Sequence, residues 1–113
     1  MVGTALAAAG IAGTPEAALA DYNACPTGSI CFFDGHGGAG AMIPVAPIEE
    51  PVMPAGWNDR ASSLWNRSDA SVCVWTDAGW YGYHYNIPPG QQQELLFAYD
   101  KGVSSYEING CGG

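Results

Sequence analysis

The sequence predicts an all-β fold: two Greek-key motifs packed as a disulfide-braced sandwich of two sheets. Three observations predict it. The chain repeats itself without a gap at an offset of 42 residues. Short β-branched and aromatic runs alternate with clusters of its sixteen Gly and eight Pro, which suits brief strands and tight turns rather than long helices. Four cysteines stand in a chain of 113 residues, where a small core needs cross-links.

The repeat sets residues 29–67 over residues 71–109. Ser29 meets Ser71, Cys31 meets Cys73, Gly37 meets Gly79 and Gly40 meets Gly82. Pro47 meets Pro89, Ser62 meets Ser104 and Ser63 meets Ser105. Aromatics coincide at Phe33/Trp75 and Trp57/Tyr99. Internal repeats define the unit of folding, and neither half can bury its apolar face alone.

Each unit opens with an apolar strand, Ile30–Phe33 and then residues 72–75. Side chains alternate across a strand, so Val72 and Val74 share one face while Cys73 and Trp75 share the other. Gly-rich hairpins follow at 34–40 and 77–82, and second strands at 41–45 and 83–87. Pro44 confines the first of these second strands to a sheet edge. A third strand is expected at 94–97; its counterpart near Val52 is interrupted by Pro51 and Pro54. A serine pair then leads into the last strands, Ser63–Asn66 and Ser105–Ile108.

Residues 1–20 are rich in Ala and Gly, carry no Lys or Arg, and end Ala18-Leu19-Ala20. This reads as a secretory signal peptide lacking its basic start, or as a disordered Ala/Gly extension; the folded domain is 21–113. The expected location is extracellular, and no later stretch reads as a membrane span. The net charge of −8, with only Arg60, Arg67 and Lys101 as strong bases, argues against nucleic acid as a partner.

Cys25, Cys31, Cys73 and Cys111 allow three pairings. Cys25–Cys31 with Cys73–Cys111 is favoured: the first closes a tight loop around Pro26 and Gly28, and the second ties the C-terminus to the second unit. By chain entropy these closures are worth about 2.5 and 4 kcal/mol. Spacing and the lack of a histidine cluster weigh against zinc. His36 and His84 have neither a nucleophile nor an orienting acid beside them in a known catalytic pattern, so no enzyme activity is expected. Asn66-Arg67-Ser68 is an N-glycosylation sequon by pattern.

These residues resemble the βγ-crystallin superfamily, whose hairpin signature is aromatic, four residues, aromatic, one residue, Gly. Trp75, Trp80 and Gly82 match it. Phe33 and Gly40 match in the first unit, but Gly38 replaces the middle aromatic, so the first hairpin is expected to fold less firmly over its sheet. The superfamily's calcium signature, Asx-Asx-x-x-(Ser/Thr)-Ser, fits residues 58–63 fully and residues 100–105 except at Lys101. The start Cys25-Pro26-Thr27-Gly28-Ser29-Ile30-Cys31 is similar to that of the small secreted metalloproteinase inhibitors, the SMPI-like group. That resemblance implies inhibition of an extracellular zinc metalloendopeptidase through a substrate-like loop, in that group closed by a short disulfide of the second unit. Here Cys73 takes the first position of that disulfide and the next cysteine is Cys111.

Two candidate sites follow. Asn58, Asp59 and Ser62, and more weakly Asp100 and Ser104, are candidate ligands for Ca2+, a hard cation that takes oxygen donors; a single carboxylate implies binding near the roughly 10⁻⁴ M of extracellular modules. The resemblance adds a backbone carbonyl from the other unit's hairpin, near Gly79 for the first site and Gly37 for the second. Lys101 places a cation beside the second site. The same serines also suit turns, where they satisfy backbone groups. Trp80, Tyr81, Tyr83 and Tyr85 are candidate partner-binding residues. Trp80 is expected to pack in its hairpin, and one or two of the tyrosines to be exposed. The leading function is a secreted peptidase inhibitor contacting its target through 76–90; the alternative is a calcium-binding or structural extracellular module.

Overall fold

The computed structural model describes residues 22–112, so the expectation for 1–20 lies outside the described residues. Among the described residues seven strands carry the fold: β1 Ile30–Phe33, β2 Met42–Val45, β3 Ser63–Asn66, β4 Val72–Asp77, β5 Tyr81–Ile87, β6 Gln92–Glu94 and β7 Ser105–Ile108. Short 3₁₀ turns form at Tyr22–Ala24, His36–Gly38 and Phe97–Tyr99. The strands make two antiparallel sheets, ordered β2-β1-β3-β6 and β5-β4-β7. Among the described residues no helix is long and apolar enough to cross a membrane.

The third strand of the second unit does not stay with its own sheet. β6 pairs with β3 of the first unit, Ser63 opposite Glu94 and Trp65 opposite Gln92. The first unit reciprocates weakly. Its third strand shrinks to one bridge, Glu50 with Tyr106 of β7, followed by a bond from the Met53 N–H to the Ser104 carbonyl (3.0 Å). Pro51 and Pro54 have no N–H to extend the ladder, as expected from sequence.

The third strand itself lies at Gln92–Glu94 rather than at the expected 94–97. The apolar run that suggested a strand is divided: Leu95 is fully buried, whereas Phe97 is 94% exposed in a 3₁₀ turn. The pairing edge is made by glutamines, which carry no apolar signal. Elsewhere β1, β3 and β7 keep their expected bounds, and β2, with Pro44, is an edge strand. β4 and β5 run longer than expected, which tightens their turn to residues 78–80.

The core lies between the sheets. Ile30, Phe32, Leu64, Val72, Val74, Ile87, Leu95, Val103 and Tyr106 fill it, with Trp57 and Met53 closing one side. Cys31 and Phe33 point the other way, into a smaller cluster with Cys25, Tyr22, Met42 and Trp65. Both favoured disulfides are present, Cys25–Cys31 and Cys73–Cys111. Asn66 is buried, and its amide donates to the carbonyls of Ala70 (2.7 Å) and Ile87 (3.1 Å). The sequon at 66–68 is therefore a structural turn with no accessible acceptor.

Serine locks hold both hairpins at the same offset. The Ser63 hydroxyl donates to the Gly35 carbonyl (2.7 Å) and accepts the Gly38 N–H (3.0 Å). Ser105 does the same with the Asp77 carbonyl (2.7 Å) and the Trp80 N–H (3.1 Å). Gly40 and Gly82 have positive φ, and a Cβ on either would lie 2.1 or 2.3 Å from the side-chain oxygen of Asp34 or Thr76. Only glycine fits there.

The missing aromatic at Gly38 is replaced from outside the repeat, which corrects the expectation of a loosely folded first hairpin. Gly38 is buried, and a Cβ there would fall 2.7 Å from the Tyr22 N and 2.8 Å from its Cγ. The Tyr22 ring packs edge-on against Phe33 (5.3 Å) and Trp65 (6.3 Å). The Cys25–Cys31 disulfide anchors the turn that delivers it. In the second unit Trp80 serves its own hairpin, its indole N–H donating to the Tyr106 carbonyl (2.9 Å). Tyr22→Ala is expected to cost about 2–3 kcal/mol, from lost aromatic packing and a lost hydrogen bond. Urea denaturation measures it, and a change below about 0.5 kcal/mol would mean the ring does not brace the hairpin.

Candidate functional site

The two serine-rich loops meet at the seam between the units, and they pair crosswise. The Ser62 hydroxyl donates to Asp100 Oδ1 (2.6 Å), and the Ser104 hydroxyl donates to Asp59 Oδ1 (2.9 Å). The backbones pair in the same sense, Asp59 N–H to the Val103 carbonyl (3.1 Å) and Lys101 N–H to the Ala61 carbonyl (2.8 Å). Asp59 and Lys101 both sit at positive φ, 56° and 59°. Each candidate carboxylate is thus held by the hydroxyl of the other unit. Asn58 is exposed at the rim.

The second site is filled by protein cations. His36 lies between two carboxylates, Nδ1 at 2.9 Å from Glu94 Oε1 and Nε2 at 3.1 Å from Asp100 Oδ2. The Gly37 N–H donates to both Glu94 oxygens at 2.9 Å, and the Tyr22 hydroxyl donates to Glu94 Oε2. The Lys101 ammonium donates to the carbonyls of Asp34 (2.5 Å) and Arg60 (3.1 Å). Arg60 in turn pairs with Asp34 at 3.1 Å and lies over the Trp57 ring. A divalent ion would have to displace these partners, so the residues around Asp100 do not fit Ca2+. Asp59 is different: among the described residues it makes no ion pair. The Asp59 carboxylate and Ser104 hydroxyl offer two hard oxygens. No group of three or more His, Cys, Asp or Glu side chains among the described residues is arranged to hold a metal.

Glu94 was not among the residues the sequence singled out, and His36 was noted there only as lacking a catalytic pattern. The placement of Gly37 beside the second site was the available signal for His36. Glu94 had none, because it arrives on the exchanged strand.

The electrostatics of this clamp are mutual. Hydrogen bonds to Glu94 and then Asp100 raise His36 above its ordinary 6.5. Burial opposes ionisation of Glu94, but bonds from Tyr22, Gly37 and His36 prevail and hold it below 4.5. The Ser62 hydroxyl and His36 hold Asp100 below 3.8. Burial, with Glu94 beside it, pushes Tyr22 up to about 12. A raised histidine stabilises the fold fully below about 6.5, and that contribution is lost as pH rises through its folded value; the lowered carboxylates stabilise above their unfolded values and lose this as pH falls. Wild type should therefore exceed His36→Gln in melting temperature at about pH 5.5, and the gap should close by about pH 9. A gap independent of pH would refute the charged clamp.

The tyrosine face lies on β5. Tyr81 and Tyr83 are each 71% exposed. Tyr85 is half-buried, its ring 5.1 Å from Tyr99. Trp80 is half-buried and doubly hydrogen-bonded into its hairpin. Hydrogen bonds also brace the turn: Gly79 N–H to the Pro51 carbonyl (2.7 Å) and Tyr83 N–H to the Thr76 hydroxyl (2.9 Å). On the opposite side of the strand His84 stacks on Trp75 at 4.2 Å.

Residues 18–87 match the model of peptidase inhibitor family I36. The chain belongs to that family. The match takes in the Cys25–Cys31 loop, the whole first unit, and β4 and β5 with the tyrosine face. No curated protein matches this I36 chain in sequence. Solved structures show its fold to be that of βγ-crystallin domains. A domain described for the evolution of the eye-lens βγ-crystallin fold is 17% identical, with a TM-score of 0.68 over 74% of this chain and 88% of the other. A Ciona intestinalis βγ-crystallin is 22% identical, with a TM-score of 0.62 over 72% and 99%. A Clostridium beijerinckii βγ-crystallin domain is 17% identical, with a TM-score of 0.61 over 72% and 97%.

Proposed function

We propose that this I36 chain is secreted and inhibits an extracellular zinc metalloendopeptidase by occupying its cleft. The family match over 18–87 carries the reading. Two disulfides suit an oxidising, extracellular setting, and the chain is read as a binder rather than an enzyme. The contact lies within 76–90, with the exposed Tyr81 and Tyr83 foremost. Cys73 bonds to Cys111 and closes no short loop here. Rigidity comes instead from the hydrogen bonds at Thr76, Gly79 and Trp80. The 88–90 turn adds to it: Gly90 accepts the Trp65 indole N–H (3.1 Å) and donates to the Asn66 carbonyl (2.6 Å). A preset loop loses little entropy on binding, which favours inhibition over cleavage.

A panel of zinc, serine and cysteine endopeptidases tests the reading. Stoichiometric inhibition confined to zinc enzymes is expected. Tyr81→Ala with Tyr83→Ala should weaken it at least about ten-fold, the scale of interface hot spots, with melting temperature unchanged. Inhibition of no zinc enzyme would refute the proposal.

A second reading is favoured by the Asp59–Ser104 pair. In it, weak calcium binding at that end of the seam stabilises the sandwich. With a dissociation constant near 10⁻⁴ M, about 10 mM calcium would add about 2–3 kcal/mol. The melting shift should vanish in Asp59→Ala and survive in Asp100→Ala. No shift in wild type would remove the site.

A further inference from the structure

The turn after the exchanged strand holds an aromatic that the core does not bury. Leu95 is fully buried, Leu96 is 52% exposed, and Phe97 is 94% exposed. Phe97 also sits at φ 55°, a left-handed conformation that costs energy for a bulky aromatic. Burial does not repay that cost, because the ring lies in solvent. The first unit has Ala55 at this offset. Strain of this kind persists only where the surroundings enforce it.

The surroundings do enforce it. Leu95 N–H donates to the Ser62 carbonyl (2.9 Å), Tyr99 N–H to Leu96 (3.0 Å) and Gly102 N–H to Tyr99 (3.1 Å). Gly102 must be glycine, since a Cβ would lie 1.9 Å from the Ala98 carbonyl oxygen. Beside the turn is a recess of about 200 Å³ lined by Tyr85, Gln93, Glu94, Leu96, Phe97 and Tyr99. Tyr85 joins it to β5, where Tyr83 is exposed. The turn therefore continues the tyrosine face, yet it lies beyond the 18–87 span of the family match.

We infer that Phe97, flanked by Leu96, is an apolar anchor that fills a hydrophobic side-chain pocket of the bound peptidase beside the β5 tyrosines. The assignment rests on the reading of the chain as a peptidase inhibitor. A protruding, preset aromatic suits a concave partner, and such anchors dominate binding energy. A second copy is disfavoured, because each carries a net charge of −8 and like charges repel.

The test compares the full chain with Phe97→Asn and Phe97→Leu against the zinc endopeptidase that wild type inhibits. Asn tolerates a left-handed backbone. Phe97→Asn should raise the inhibition constant at least about thirty-fold with melting temperature unchanged or higher. Phe97→Leu should restore most of the affinity. If wild type inhibits and Phe97→Asn inhibits equally, the anchor is overturned while the inhibitor reading stands. A lower melting temperature in Phe97→Asn would make the ring structural and also overturn it. So would a concentration-dependent dimer that Phe97→Asn abolishes without changing inhibition. Failure of wild type on every zinc enzyme removes both readings together.

Discussion

The exchange of third strands between the two units is the constraint on which the rest depends. β6 completes the first unit's sheet by pairing with β3, and the Glu50 bridge reaches toward β7 of the second. The first unit's sheet gains its fourth strand only from the second, which ties the duplicated halves into one body. The exchange is unequal. Prolines reduce one side to a single bridge, leaving a three-stranded sheet opposite a four-stranded one. The stronger arm, β6, also delivers Glu94 to His36 and Leu95 to the core.

That delivery shapes the polar seam. Backbone symmetry is retained at Asp59 and Lys101, which share the same φ and reciprocal bonds. The side chains have diverged. At one end the Asp59 carboxylate accepts the Ser104 hydroxyl and, among the described residues, makes no ion pair. At the other, His36 stands between the Glu94 and Asp100 carboxylates, and the Lys101 ammonium bonds to the Asp34 and Arg60 carbonyls. An imidazolium between two carboxylates neutralises the same repulsion that a divalent ion would, without a ligand, but only below the histidine's folded pKa.

The hairpins show a comparable division. The second unit carries its own aromatic clamp in Trp80. The first borrows Tyr22 from the N-terminal turn, so a disulfide and an added segment restore what Gly38 lost. With its fold-over aromatic supplied internally, the second unit leaves the opposite side of β5 open. Tyr81, Tyr83 and the strained Phe97 are exposed there, where packing asks for none of them.

By itself the sequence favoured one disulfide pairing of three, and it determined the doubling, the first and last strands of each unit, the edge position of Pro44 and the glycines of the hairpins. These are local or periodic: a strand's apolar face, a glycine's positive φ and a fixed offset are written in neighbouring residues. Asp59 with Ser62, and Asp100 with Ser104, were also legible as two separate polar sites, because a spacing motif names each. Which hydroxyl meets which carboxylate was not legible, and neither was the pairing of His36 with Glu94. The replacement of an absent aromatic by Tyr22 was equally hidden, as was the exposure of Phe97 from an apolar run. Only tertiary structure decided these. Each depends on contacts between segments far apart in sequence, and such contacts leave no period or spacing along the chain.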